Sequence, residues 1–289
     1  MEGDLKAIQR FCDLTETPVF IKRLSGGDIN EVFCVEVGNQ KWVVKKNERD
    51  RFPEMLYKEG RALNYFNQHV PDRYPKVISN FETREHQYLL LEYVETGANS
   101  GIGQENLGRA LAIQHQISAE SCGWEEDNFI GSLPQPNPRI SKWSDFYAEH
   151  RLLFQTKRAY DQGLVARSFT RRMEKFCGYL DELFPKEPHA LLHGDLWGGN
   201  YFIQPNDNPL LYDPAVYFGH REIDIAMTQL FGGFSAAFYQ AYNASYPLVD
   251  GWEERIEYGQ LYPNLVHLNL FGPVYMQPVR SVIDQFQGF

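Results

Sequence analysis

Alternation of apolar and polar positions dominates the first hundred residues. Pro18 to Leu24 reads as a strand, and Ser25-Gly26-Gly27-Asp28 as the turn that follows it. Asn30 to Val37 alternates through Val32, Cys34 (or Val35) and Val37, and Gln40 to Lys46 pairs with it across a Gly38-Asn39 hairpin turn. The period then changes, with Leu56, Leu63 and Phe66 at helical spacing inside Phe52 to Phe66. Val77 to Phe81 and Gln87 to Val94 read as two more strands. Beyond Thr96-Gly97-Ala98-Asn99-Ser100-Gly101 the pattern is mainly helical: Gln104 to Ser118, Trp143 to Tyr160, Ser168 to Phe184, Glu222 to Phe231, Phe234 to Tyr242 and Trp252 to Phe271. Residues 120–141, rich in Pro, Asn and Gly, make a long connection of the kind that carries function. The expected architecture is α+β in two lobes: a small β-rich lobe over residues 1–95 and a larger, mainly helical lobe over 96–289.

Composition narrows the function classes. The chain has 289 residues, long enough for a core in each lobe, and a formal net charge of −10. That charge argues against nucleic acid or an anionic membrane as the main partner. No apolar run reaches the length of a membrane span; Tyr88 to Leu91 is broken at once by Glu92. Met1-Glu2-Gly3-Asp4 is acidic and unlike a secretion signal. Cys12, Cys34, Cys122 and Cys177 are scattered without a CxxC pair, which fits free thiols and a cytoplasmic location.

The candidate chemistry is concentrated in His193-Gly194-Asp195-Leu196-Trp197-Gly198-Gly199-Asn200 and, on the far side of an expected hairpin, Asp213-Pro214. Asp195 and Asn200 stand at the Asp-x4-Asn spacing of a kinase catalytic loop. A carboxylate such as Asp195 can orient a hydroxyl and accept its proton. The amide oxygen of Asn200 and the carboxylate of Asp213 are hard ligands suited to Mg²⁺ on ATP phosphates. Upstream, Gly26 and Gly27 leave room for backbone amides to approach phosphate. Lys45 lies in the third strand beside Lys46, and alternation turns one of the two inward. A buried ammonium needs a carboxylate; Glu59 on the following helix is the natural partner and Glu54 the competitor. Leu91-Glu92-Tyr93-Val94 ends the fifth strand, where the carbonyl of Glu92 and the amide of Val94 would meet adenine.

The order glycine turn, Val44-Lys45-Lys46-Asn47, Glu59, Leu91-Glu92-Tyr93-Val94, HGDLWGGN and Asp213-Pro214 resembles the aminoglycoside phosphotransferase-like kinases. Within that group the chain resembles the fructosamine kinase (ketosamine kinase) family over nearly its whole length. The distinguishing segments are Asp127-Asn128-Phe129-Ile130-Gly131, Pro134-Gln135-Pro136-Asn137, Trp143 with Phe146-Tyr147-Ala148-Glu149 and Arg151-Leu152, Asp213-Pro214-Ala215 with Tyr217-Phe218-Gly219-His220-Arg221-Glu222, and His267-Leu268-Asn269-Leu270-Phe271-Gly272. The resemblance implies a protein-kinase-like fold, ATP and Mg²⁺ as cofactors, and phosphorylation of the third sugar carbon of a ketosamine, free or on a glycated lysine, in support of deglycation. It implies Asp195 as base, Asn200 and Asp213 as metal ligands, Lys45 on phosphates paired with Glu59, and Trp197 near the sugar or its amine. The competing readings are a kinase for another hydroxylated amine, aminoglycoside-like or choline-like, and a nucleotide-binding pseudokinase. The chain departs from the family pattern at Asp28, where many members carry Cys, at Gly199, where Ser is usual, and at Gly272-Pro273-Val274-Tyr275. Neither the preferred sugar nor the oligomeric state is legible in these motifs.

Overall fold

The computed structural model describes residues 1–24 and 29–286. Gly26 and Gly27, expected to let backbone amides approach phosphate, therefore lie outside the described residues. Two compact units are present: Met1–Gly103 with Tyr201–Pro214, and Gln104–Asn200 with Ala215–Phe289. This division differs from a single break near residue 95, because a later hairpin belongs with the first unit. Gly97 N donates to Ile203 O at 2.7 Å and Leu211 N to Arg73 O at 2.8 Å, so backbone bonds fasten that hairpin there.

The first unit is built on an antiparallel five-stranded sheet of β1 (Val19–Arg23), β2 (Glu31–Val37), β3 (Gln40–Glu48), β4 (Val77–Glu82) and β5 (His86–Glu92), in the order β1-β2-β3-β5-β4. Gly38, at φ 58°, makes the predicted turn between β2 and β3, a conformation that costs glycine least. One face of the sheet buries Phe33, Val35, Val44 and Leu90 against Ile8 of α1 (Glu2–Phe11). The sequence pattern does not mark this helix, because its larger apolar side chains, Leu5, Ile8 and Phe11, are few within one short segment. The other face takes α2 (Met55–His69), tied down by Asn80 Nδ2 donating to Leu56 O at 2.8 Å and by Leu56 N donating to Gln87 Oε1 at 2.9 Å.

Buried Asp4 of α1 accepts from Tyr88 Oη at 2.7 Å and pairs with Lys46 Nζ at 2.9 Å. Burial alone would raise its carboxyl, but the Lys46 and Tyr88 contacts outweigh it and hold the pKa at about 2, below the ordinary 3.8. A depressed carboxyl stabilises the fold above its unfolded pKa, and that stabilisation disappears as pH falls through the folded value. Asp4→Asn is expected to lower the melting temperature at neutral pH. The gap from the parent protein should close as pH falls from 3.8 to about 2, read from melting curves across that window.

The second unit is mainly helical. After α3 (Gly101–His115), β6 (Ser118–Ala119) pairs with β9 (His189–Leu192), which pairs with β12 (Tyr217–Gly219). The long connection between residues 120 and 141 holds a small hairpin, β7 (Asn128–Ile130) with β8 (Leu133–Gln135). The helix expected over 143–160 is α4 (Trp143–Tyr147), a π-helical turn (Ala148–Leu153) and α5 (Phe154–Asp161) in direct succession. Then follow α6 (Arg167–Cys177), α7 (Leu180–Leu183), α8 (Glu222–Leu230) and α9 (Ala236–Ser245). The helix expected over 252–271 is split into α10 (Trp252–Gly259) and α11 (Leu261–Phe271). Pro263 supplies no amide to continue α10 and fits the first turn of a new helix instead. The chain closes with α12 (Met276–Gln285), which the pattern had not indicated. In the first unit, β10 (Tyr201–Ile203) and β11 (Pro209–Leu211) form the hairpin that leads to Asp213. Among the described residues, no helix is long and apolar enough to cross a membrane.

Candidate active site

Alternation along β3 decides between the two lysines. Lys46 points toward α1 and Asp4, while Lys45 points to the opposite face, where its side chain is buried. Lys45 Nζ bonds Glu59 Oε1 of α2 at 2.5 Å and also contacts Asp213 Oδ1. Glu54, the other candidate, sits at the N-cap of α2 with φ 58°. Burial pulls the Lys45 ammonium down, but the Asp213 and Glu59 carboxylates more than offset it and hold the group protonated. Burial pushes the Glu59 carboxyl above its usual range against the pull of Lys45, with Asp213 adding to the rise. Asp213 itself has φ 57°, a left-handed conformation uncommon outside glycine and typical of functional loops.

Lys45→Met would remove the cation between these carboxylates. Breaking a buried pair from one side costs about 3–5 kcal/mol. We expect a clear drop in melting temperature, with the Glu59→Gln variant losing less because the Lys45–Asp213 contact survives.

Lys45 and Asp213 stand at one end of a cavity of about 280 Å³ within the first unit. Val32, Val43 and Leu91 of the sheet line it on one side, and Phe202, Leu210 and Tyr212 of the β10–β11 hairpin segment line it on the other. Glu92, Tyr93 and Val94 line its edge, as expected for the strand end. The Tyr93 amide is already engaged with Lys41 O at 3.3 Å, and Glu92 Oε1 accepts from Lys76 N at 3.0 Å. A flat, largely apolar heterocycle matches this slot, with the ammonium of Lys45 available to anionic groups attached to it. Sequence reasoning missed Phe202, Leu210 and Tyr212. Their signal, two short apolar runs around Asn206-Asp207-Asn208, marks a hairpin but not where it docks.

The second unit carries the HGD loop. Gly194 adopts φ 82°, and a Cβ there would run into the Ala215 carbonyl, so glycine is needed on both counts. Buried Asp224 of α8 accepts from His193 N at 2.7 Å and Gly194 N at 2.9 Å, and bonds His115 Nε2 at 3.1 Å. Asp195 follows this anchored pair. Asn200 Nδ2 donates to Asp195 O at 2.8 Å and to Asp195 Oδ2 at 3.1 Å, which fixes one residue relative to the other. With its amide nitrogen so used, Asn200 offers Oδ1 to a cation. Arg221 and Glu222 serve elsewhere: Arg221 forks onto Glu187 at 2.9 and 2.6 Å, and Glu222 binds Arg255 at 2.8 and 2.7 Å.

A small pocket opens beside Asp195, lined by Ile130, Ile223, Met227, Tyr262 and His267. Tyr262 is fixed there by donating to Gln135 Oε1 at 2.7 Å, and Gln135 Nε2 in turn holds Asn128 Oδ1 and Ala215 O. The family-specific segment 127–137 therefore acts through buried amides behind the pocket. Buried Arg151 extends the same network, donating to Asn137 Oδ1 at 2.7 Å. Trp197 lies at the surface near Asp195, edge-on to Phe231.

Comparison with known proteins agrees with this arrangement. The fructosamine kinase family model matches residues 7–288. A probable ketoamine kinase of Synechocystis sp. is 38% identical over 265 residues, covering 91% of this chain and 89% of its own. The chloroplastic protein-ribulosamine 3-kinase of Oryza sativa subsp. japonica is 34% identical, covering 92% of this chain and 78% of its own. Among solved structures, the Thermobifida fusca protein assigned as a fructosamine-3-kinase superposes with a TM-score of 0.88 at 31% identity, covering 98% of both chains. The aminoglycoside phosphotransferase APH(4)-Ia, at 17% identity and a TM-score of 0.65, shares the fold. Fold, loop geometry and similarity across the chain agree: the protein belongs to the fructosamine kinase family.

Proposed function

We propose that the protein transfers the γ-phosphate of ATP to the hydroxyl on the third sugar carbon of a ketosamine, such as a fructosamine or ribulosamine. The observation that carries this reading is the Lys45–Glu59–Asp213 cluster at the end of an apolar slot, in a chain that also holds Asp195 and Asn200 bonded to one another. Residues 1–95 supply the ATP-binding part and the rest of the chain, the β10–β11 hairpin apart, supplies catalysis and acceptor binding. Adenine takes the slot, with its edge against the backbone of Glu92, Tyr93 and Val94. Lys45 meets the phosphates while Glu59 holds its ammonium in place.

Asp195 orients the acceptor hydroxyl and takes its proton as the oxygen attacks phosphorus and ADP leaves. Asn200 Oδ1 and the Asp213 carboxylate are each hard oxygen ligands of the kind that would hold Mg²⁺ together with substrate phosphates. When bound there, Mg²⁺ neutralises charge on the transferring phosphate. A ketosamine formed on a protein lysine is within the same substrate class.

The test is Mg²⁺-dependent ADP release with a panel of fructosamines and ribulosamines beside an aminoglycoside and choline. Saturable turnover on the ketosamines supports the reading. Turnover on the other amines alone would move the acceptor assignment to another hydroxylated amine, and nucleotide binding without any turnover would favour a pseudokinase. For the metal, calorimetry with Asp213→Ala is expected to show Mg²⁺-ATP bound no more tightly than metal-free ATP; undiminished Mg²⁺ dependence would remove Asp213 from the ligand set.

A further inference from the structure

Beyond the Asp195 pocket, the second unit presents a run of aromatic rings that the proposed phosphoryl transfer does not use. His267 lines the pocket beside Asp195. Its ring stands 4.9 Å from Phe231, 5.0 Å from Tyr275 and 5.5 Å from Phe271, centroid to centroid. Phe231 in turn meets the edge of Trp197 at 6.0 Å. This ladder is open to solvent: Trp197 is 38% exposed, Phe231 44% and Phe271 51%. Large aromatic side chains contiguous on a surface mark a place where something binds.

Gly199 shapes the near end of the ladder. A Cβ on Gly199 would fall inside the indole of Trp197, so the indole lies over the loop only because this position has no side chain. Gly272-Pro273-Val274-Tyr275, another departure from the family pattern, forms the turn that brings Tyr275 onto His267 at the far end.

The chemistry of the ladder restricts its ligand. None of the five side chains carries a fixed charge. Burial lowers the His267 pKa and its Nδ1–H is given to Pro263 O at 2.7 Å, so the imidazole is neutral at physiological pH. A carboxylate would find no counter-charge among these rings and would meet their negative faces, whereas a flat aromatic group adds to an array of rings already tilted against one another.

We propose that the ladder is the subsite for the substituent on the ketosamine's amine, and that it selects aromatic amines over small aliphatic ones. The inference rests on the ketosamine reading. The amine of a ketosamine stands on the first sugar carbon, within a few bond lengths of the third-carbon hydroxyl. A substituent on it leaves the Asp195 pocket where His267 begins the ladder.

The experiment compares kcat/KM for the fructosamine of phenethylamine with that for the fructosamine of ethanolamine, in the parent protein and in Phe271→Ala, Tyr275→Ala and Gly199→Ser. The ratio does not depend on how much of each preparation is folded. The parent is expected to favour the aromatic acceptor by about tenfold, the scale of a stacked aromatic contact. Each variant should lower the ratio, Gly199→Ser by displacing the indole. A ratio near one in the parent, or an unchanged ratio in both alanine variants, overturns the inference and leaves the ketosamine reading standing. If only ribulosamines turn over, the same ratio is read on the ribulosamines of the two amines; failure with both sugars would overturn both readings.

Discussion

Asp195→Asn is expected to lower kcat by about 10²–10⁴-fold, the usual contribution of a general base. The substitution keeps the volume of the side chain and an oxygen able to accept the bond from Asn200 Nδ2, 3.1 Å away in the parent protein. It removes only the capacity to take a proton. The loop should therefore stay in place, held by Asp224 on the His193 and Gly194 amides. ATP binding should be unaffected, because the slot for the nucleotide is built from other residues: Val32, Val43, Lys45 and the strand end at Glu92–Val94. The decisive comparison is steady-state kcat against ATP affinity on one preparation. Turnover within a few-fold of the parent protein would withdraw the base from Asp195, whereas a loss of both together would mean that the substitution had disturbed the fold.

Local pattern carried much of this site. The period-two alternation of β3 places Lys45 and Lys46 on opposite faces, and the structure gives each its own carboxylate partners, Glu59 with Asp213 and Asp4. Spacing did not decide between Glu59 and Glu54, because the expected helix began at Phe52; α2 starts at Met55 and leaves Glu54 at its N-cap. The HGD loop was legible because its glycines and its Asp-x4-Asn spacing answer to local requirements. Docking was not legible. Nothing in Tyr201–Leu211 alone shows that this hairpin joins the first unit through Gly97 and Arg73, and so completes the slot with Phe202 and Leu210. The aromatic ladder was invisible for the same reason: His267, Phe271 and Tyr275 are neighbours at four-residue spacing, but Trp197 and Phe231 are far from them in sequence and meet them only through packing. Short helices with few apolar residues, such as α1, fall below what periodicity can resolve. The split between α10 and α11 was signalled by Gly259 and Pro263, but the continuous apolar pattern concealed it. Gly259 has a second reason to be glycine, since a Cβ there would come within 2.6 Å of Ala226 Cβ on α8.

The second large effect is expected at Asp224, which is remote from the acceptor hydroxyl in the proposed mechanism yet sets the loop that carries the base. Its two carboxylate oxygens are shared among three donors: His193 N, Gly194 N and His115 Nε2. The side chain is fully buried, so water cannot replace what a substitution removes. His115 is itself held, its Nδ1 bonded to Tyr242 Oη at 2.8 Å, and Arg221 Nη1 reaches the same hydroxyl at 3.4 Å. Asp224→Asn turns one oxygen into an amide donor. That group must then face either a backbone N–H or the imidazole N–H, and at least one buried donor is left unmet. Each such group costs about 1–3 kcal/mol, so a fall of several degrees in melting temperature is expected. The catalytic effect should exceed the effect on stability. Small displacements of a positioned group cost about 10²-fold in rate, and Gly194 has no room to adjust against the Ala215 carbonyl. Kinetics should be measured at a temperature where circular dichroism shows the variant folded. A kcat reduced about 10²-fold with ATP affinity retained would mark Asp224 as a positioning residue for Asp195. An unchanged kcat per folded molecule would reduce Asp224 to a structural tie and place the rigidity of the loop in Asn200 and the Gly194 turn.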